Sequence, residues 1–340
     1  MSFASDASLF VHQIDATNDR LLLTQLSEAD FRDASFLDQR LLQAQVGQQQ
    51  RAMQWGDWSV IAPQSVGARD DAQFIFHIGH VGSTLIARLL GEAADTLALR
   101  EPQLLRQFAE FAMLEGEAHS PWPPGRTAER LPLARQWLSR TFRPDQRALI
   151  KATSFVNDIA PQLMETSRKA VFLKLSAQRY LQTILAGDAS RQELVAFSPT
   201  RIQRLNAHIR EPAFKLWELD EAKRAALGWA CEMAALEATS NDNVLWVDFD
   251  AFLAQPAAQL SKIAAHLDIA LSDDQAQQLV DGPMMQRYSK APEHRYSSQL
   301  REDMLAKAVS ERGSDIRAAL DWLEQAAKSH QVIAAALARD

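Results

Sequence analysis

Cysteine is almost absent: the 340 residues hold one, Cys231, set in the apolar helical pattern LGWACEMAALEA. No disulfide can form within the chain, and zinc sites built on paired cysteines are excluded. A reducing, cytoplasmic setting is the expectation. Long apolar runs are missing too. No stretch approaches the roughly 20 residues that a membrane helix needs. The opening MSFASDASLFVHQIDATNDR has no basic segment leading into an apolar one, so neither a membrane partner nor a secretory leader is expected. Positive charge is not in excess: 36 Lys and Arg against 43 Asp and Glu leave a net charge of −7. That balance speaks against nucleic acid as a partner, yet it leaves room for a local pocket that takes a small anion. Repeats of fixed period and low-complexity segments are absent, the glutamine-rich stretch 43–50 reading as a polar helix face. What the chain has in quantity is apolar surface, 47% of its residues, enough to bury one large core.

The organisation follows from where the hydrophobic period changes. Residues 1–70 read as an N-terminal extension packed on the core: a short hairpin, then SEADFRDASFLDQRLLQAQ at helical spacing with Ser27 as its cap. QWGDWSVIAP reads as strand or loop. From residue 71 onward the pattern is that of a single α/β domain. Short apolar runs at 74–78, 97–99, 148–152, 170–175 and 244–249 alternate with longer helical patterns. This alternation predicts a three-layer α/β/α fold around a mainly parallel five-stranded sheet. HSPWPPGR, 119–126, reads as a proline-rich surface loop, and the chain beyond 250 as mostly helical, with Asp250, Ser272 and Ser314 as helix starts. DGPMMQRYSKAPEHRY reads as a long irregular crossing. Trp217, Trp229 and Trp246 are assigned to the core.

The stretch FIFHIGHVGSTLIARLL, residues 74–90, starts as a buried strand, breaks at Gly79 and Gly82, and continues as an amphipathic helix. In a doubly wound sheet the ligand crevice lies at the carboxyl ends of the strands, and the first strand-to-helix turn is its phosphate seat. Glycines let backbone N–H groups point inward without a Cβ in the way, and a helix N-terminus adds unpaired donors and the positive end of its dipole. Gly79, His80, Val81, Gly82, Ser83 and Thr84 are therefore the candidate phosphate-binding residues. A Walker A loop would carry lysine after its last glycine to reach the β and γ phosphates; here Ser83 follows Gly82. Asp248 and Asp250 are read as strand-end and helix-cap residues. His77 and His80 lack a third ligand at a defined spacing, so no metal is expected. His77 is read as a core residue.

The loop resembles the phosphosulfate-binding loop of the sulfotransferases, in which a strand leads through [KR]-x-G-[ST]-[ST] into a helix. His80, Val81, Gly82, Ser83 and Thr84 match it in order. LREP, LIKATSFVNDIAPQLM, RKAVFLKLSAQRYLQTIL and VLWVDFDAFLAQPAAQLSKIAAHLDI are similar to the family's later blocks, so the likeness spans roughly 72–270. The resemblance implies a P-loop-like fold and transfer of a sulfuryl group from 3′-phosphoadenosine 5′-phosphosulfate (PAPS) to a small hydroxyl or amine acceptor. It implies that Glu101 is the general base and that His80 and Lys151 face the reacting group. Arg179 and Thr183 fall where the second phosphate would bind, and Arg287 and Lys290 lie in a late basic loop that would close over the nucleotide.

The sequence departs from the family at informative places. His80 stands where the loop has lysine or arginine, and a histidine carries its charge only part of the time near neutral pH. Leu175 and Ala177 stand at the arginine and proline of Arg-Asp-Pro, which removes the permanently charged fork that a phosphate favours and leaves Arg179 to substitute for it. Arg191 and Arg201 are placed at the acceptor entrance. Three classes stay open at this stage: a sulfotransferase, a nucleotide-dependent kinase or hydrolase of the P-loop fold, and a catalytically silent binding protein that keeps the fold.

Overall fold

The computed structural model describes residues 3–38, 53–165, 168–286 and 297–340. The chain opens with β1 (Leu9–Asp15) and β2 (Arg20–Gln25), the expected hairpin, and β3 (Met53–Asp57) extends it to a three-stranded antiparallel sheet. Ser27 caps α1 (Glu28–Asp33) in a capping box with Asp30, each side chain accepting from the other's backbone N–H. The segment read as strand or loop divides at Asp57: Trp58–Ile61 turns helical (α2) and buries Trp58 and Ile61.

His12 lies inside β1 with no exposed surface, and neither ring nitrogen has a hydrogen-bond partner among the described residues. Burial outweighs the pull of Asp38 and lowers its pKa from 6.5 to about 4. A histidine whose folded value is depressed contributes stability above its unfolded pKa and loses it as pH falls toward the folded one. The urea midpoint is expected to drop between pH 6.5 and about 4, and His12→Phe to flatten that slope. An unchanged slope in the variant would assign the pH dependence to other groups.

The second sheet is built from the five predicted apolar runs, each buried on both faces except at the edge. These are β4 (Gln73–His77), β5 (Thr96–Arg100), β6 (Arg147–Lys151), β7 (Ala170–Lys174) and β8 (Val244–Asp248), all parallel, in the order β5-β6-β4-β7-β8. Helices α3 (Ser83–Leu90), α4 (Gln103–Met113), α5 (Arg126–Leu138) and α6 (Ala160–Leu163) occur between the strands up to β7. Between β7 and β8 lie α7 (Ala177–Ala186), α8 (Asp188–Ile209) and α9 (Glu221–Thr239). After β8 follow α10 (Phe249–Ala254), α11 (Pro256–His266), α12 (Asp273–Asp281), α13 (Ser298–Ser329) and α14 (Gln331–Ala338). The result is a three-layer α/β/α fold of P-loop-like order. Because β4 is central and the chain builds first to one side of it and then to the other, its carboxyl end is the switch point where a crevice opens.

The N-terminal sheet is fastened to this core. Gln107 on α4 both donates to and accepts from the backbone of Ile14, at 2.9 and 2.7 Å. Arg140 donates to the carbonyls of Phe3, Leu9 and Trp137.

Three expectations fail. Asp250 is not a helix start but lies in the first turn of α10, whose cap is Asp248. Ser314 does not start a helix: α13 begins after its cap Ser297 and runs through Gly313 and Ser314 unbroken. Its buried stripe of Leu305, Ala308, Ile316, Ala319 and Leu323 continues across that point, and packing on α7 and α9 overrides the weak local propensity. Trp217 is 80% exposed rather than core, because it sits in a short 3₁₀ turn (Leu216–Glu218) outside the helix packing. No helix among the described residues is long and apolar enough to cross a membrane.

Candidate active site

The turn after β4 is forced into an unusual backbone. Gly79, His80 and Gly82 all take positive φ, at +90°, +56° and +65°. Glycine does this freely, whereas His80 holds a left-handed conformation at a cost of about 1 kcal/mol or more. Gly82 caps α3, and Ser83 and Thr84 form its first turn. The Gly79 N–H donates to His77 Nδ1 at 2.9 Å, which ties the strand end to the turn. A Cβ on Gly82 would lie 2.0 Å from Phe249 Cε2, so the aromatic first residue of α10 closes one side of the loop.

The other side is open. A cavity of about 300 Å³ lies at the carboxyl edge of β4 and β5. The strands and loops give it His77, Gly79, His80, Glu101 and Thr153, and the segment after α1 gives Phe36 and Asp38. Helix α4 gives Gln103 and Arg106, α8 gives Glu193 and Phe197, and the turn after β6 gives Ser154 and Phe155. Phe155 and Phe197 meet edge to face with centroids 4.7 Å apart, and the Arg106 guanidinium lies 5.0 and 5.5 Å from their rings. The wall thus combines an aromatic patch with ionisable groups that converge on the loop.

The predicted catalytic residues are brought together but not as expected. Glu101 follows β5 in a left-handed conformation, φ +53°, its N–H bonded to the Lys151 carbonyl at 2.7 Å, and its carboxylate reaches the cavity. Lys151 has no exposed surface and is not on the cavity wall; its ammonium donates to the Glu101 carboxylate from behind. Lys151 pairs in register with Arg100, the last ladder position before Glu101, and its contact with the site residues is the bond to the Glu101 carboxylate. Arg100 itself turns away to the carbonyls of Phe31, Arg32 and Ala34, and burial lowers its pKa to about 9. His77, read as core, lies on the cavity wall although only 5% exposed.

His80 Nε2 faces Glu193 Oε2 at 3.6 Å. Behind Glu193 runs a chain of buried charge. Arg201 lies 3.8 Å from Glu193 and 3.8 Å from Glu232, and Arg204 grips both Glu232 oxygens at 2.8 and 2.9 Å and bonds to Asp158 as well. Asn157 donates to Glu232 and to the His77 carbonyl, both at 3.0 Å, linking the cluster to the end of β4. Burial works against ionisation of Asp158, but His208 and Arg204 outweigh it and hold its pKa below the ordinary range. Arg201 is buried in this cluster, while Arg191 pairs outside it with Glu221 at 2.8 Å.

Within the loop, Val81, Ser83 and Thr84 are buried, and Thr84 Oγ1 has no hydrogen-bond partner among the described residues. The predicted second-phosphate residues are committed elsewhere. Arg179 donates to Asp250 and Glu302, both at 2.7 Å, and the Thr183 hydroxyl donates to the Arg179 carbonyl at 2.8 Å. Asp248 caps α10 by accepting from the Ala251 N–H, as a strand-end acid should, whereas Asp250 serves as an ion-pair partner of Arg179 and Arg301. Arg287 and Lys290 lie outside the described residues. No group of three or more His, Cys, Asp or Glu that would hold a metal occurs among the described residues.

No protein-family model matches this chain, and no curated protein does. Solved structures do. A sulfotransferase domain from the curacin biosynthetic pathway is 12% identical, with 73% of this chain and 99% of that chain covered, at a TM-score of 0.42. A mouse sulfotransferase complexed with PAP is 13% identical over 79% and 89% of the two chains, at 0.40. A sulfotransferase from Alicyclobacillus acidocaldarius is 17% identical over 74% and 96%, at 0.36. The chain is similar to these in backbone, and the chemistry of its site rests on its own residues.

Sequence reasoning placed the loop and Glu101 at one edge but missed Glu193, Phe197, Phe155 and Arg106. Phe197 and Glu193 share a face of α8, four residues apart, a signal visible in the sequence once that helix is known to cover the turn. Nothing in the sequence alone says that it does.

Proposed function

We propose that this chain is a sulfotransferase-like enzyme that moves an anionic sulfuryl group from a phosphate-bearing donor at the glycine loop to a hydroxyl or amine acceptor in the 300 Å³ cavity. One observation carries the proposal: the cavity wall is shared by the tip of the phosphate-type loop, Gly79 and His80, and by a carboxylate, Glu101, that an acceptor in the cavity would touch. Transfer of such a group needs little covalent help from the protein; holding donor and acceptor in line and balancing charge supply most of the effect. Glu101 is the general base, taking the acceptor's proton while the Lys151 ammonium balances its charge. His80, held by Glu193, faces the departing oxygen. The aromatic patch of Phe155 and Phe197 seats the body of the acceptor.

The residues fit one end of PAPS better than the other. A buried hydroxyl without a partner, Thr84 Oγ1, and two glycines with positive φ suit an anion at the loop. The residues expected at the 3′-phosphate are already bonded within the chain.

Thermal shift tests the proposal. Adenosine 5′-phosphosulfate or adenosine 5′-monophosphate is expected to raise the melting temperature without magnesium, and Thr84→Val to remove most of that rise. A shift seen only with ATP and magnesium would point to phosphoryl transfer, and no shift with any nucleotide would leave a protein that keeps the fold without the activity.

A further inference from the structure

Helix α7 starts at the carboxyl edge of the sheet, beside the glycine loop's strand, and its N-terminus already holds an anion from this chain. The Ala177 N–H donates to both oxygens of the Asp340 carboxylate, at 3.0 and 3.2 Å. Lys174, at the end of β7, donates from its ammonium to the backbone carbonyls of Arg339 and Asp340. Arg339 is held in turn, bonding Glu237 at 2.6 Å with its guanidinium 5.1 Å from the centre of the Trp246 ring. Residues 339 and 340 are thereby anchored to β7, α7, α9 and β8 at once.

The cations around this seat are equally committed. Arg179 lies between Asp250 and Glu302, and Arg301 donates to Asp250 at 2.6 Å. Burial, with Asp248 adding to it, pushes the Asp340 pKa up against the Ala177 N–H and Lys174, which act the other way. An incoming phosphate dianion would meet Asp340, Asp248, Asp250 and Glu302, with no uncommitted cation to offset them among those named here. A helix N-terminus favours an anion, and the Asp340 carboxylate already occupies the Ala177 N–H there, while the Lys174 ammonium is taken up by the backbone oxygens of residues 339 and 340.

We propose that Asp340 fills the anion seat at the start of α7, so that the donor is held by its phosphate-bearing 5′ end at the glycine loop and its 3′ position is not read. The proposal rests on the loop taking a phosphate-bearing donor. The ligand class it names is a nucleotide with a single 5′ anionic group, and a 3′-phosphate adds nothing to binding while Asp340 is in place.

Calorimetric titration of the full chain with adenosine 5′-monophosphate and with adenosine 3′,5′-bisphosphate tests this, in the wild type and in Asp340→Ala and Asp340→Asn. In the wild type the two affinities are expected to agree within about threefold. In Asp340→Ala the bisphosphate is expected to gain about tenfold or more while the monophosphate is unchanged, with Asp340→Asn, which keeps the shape without the charge, in between. A wild type that binds the bisphosphate about tenfold tighter than the monophosphate overturns the proposal and leaves the loop as the donor site. So does an affinity ratio that neither substitution moves. Absence of binding by either nucleotide to all three proteins overturns the loop's role itself, and this proposal with it.

Discussion

Glu101→Gln is expected to lower turnover by about 10²- to 10⁴-fold, the usual contribution of a positioned general base. The amide keeps the size of the side chain and an oxygen that accepts from the Lys151 ammonium, so the buried bond behind the cavity wall survives. What it lacks is a place for the acceptor's proton. Nucleotide-induced thermal shift should be the same as in the wild type, because the role proposed for Glu101 is on the acceptor and not on the glycine loop. Labelled adenosine 5′-phosphosulfate with a panel of phenols and amines supplies the assay. Turnover within about threefold of wild type, with the acid limb of the pH profile intact, would remove Glu101 from the chemistry.

Arg204→Met is expected to cost about 3–5 kcal/mol of stability, the range for a buried ion pair that loses one partner. Glu232 has no exposed surface, and Arg204 supplies two of its hydrogen bonds; Arg201 stands 3.8 Å away and only partly replaces them. The same substitution withdraws the guanidinium that helps keep Asp158 ionised. Urea denaturation reads the loss, and pairing the change with Glu232→Leu should recover much of it, because apolar groups of similar size replace a buried pair at little cost. A midpoint unmoved by Arg204→Met would show that the cluster is not what stabilises this region. The cluster bears on the site as well: Asn157 connects it to the His77 carbonyl and Arg201 to Glu193, so a loosened Glu232 also frees the carboxylate opposite His80.

The strands, the glycine turn and the caps at Ser27 and Ser272 were legible in the sequence, because each is decided by neighbours within a few residues. An apolar run buried on both faces, or a turn that needs positive φ, leaves its mark locally. Glu101 was legible for the same reason, lying directly after a strand at the edge where ligands bind. Ser314 was misread because local chemistry there suggests a break, while the stripe on α13 meets partners on α7 and α9 that are distant in sequence.

The alternation of strands and helices and the glycine turn after the first parallel strand follow from the order of residues alone. The tertiary structure alone decided how charge is shared. It set Lys151 behind Glu101, Glu193 opposite His80, Asp250 and Glu302 on Arg179, and Asp340 at the start of α7. The physical reason is range: backbone conformation follows from adjacent residues, whereas an ion pair forms between whichever opposite charges the packing of distant helices brings within a few ångströms.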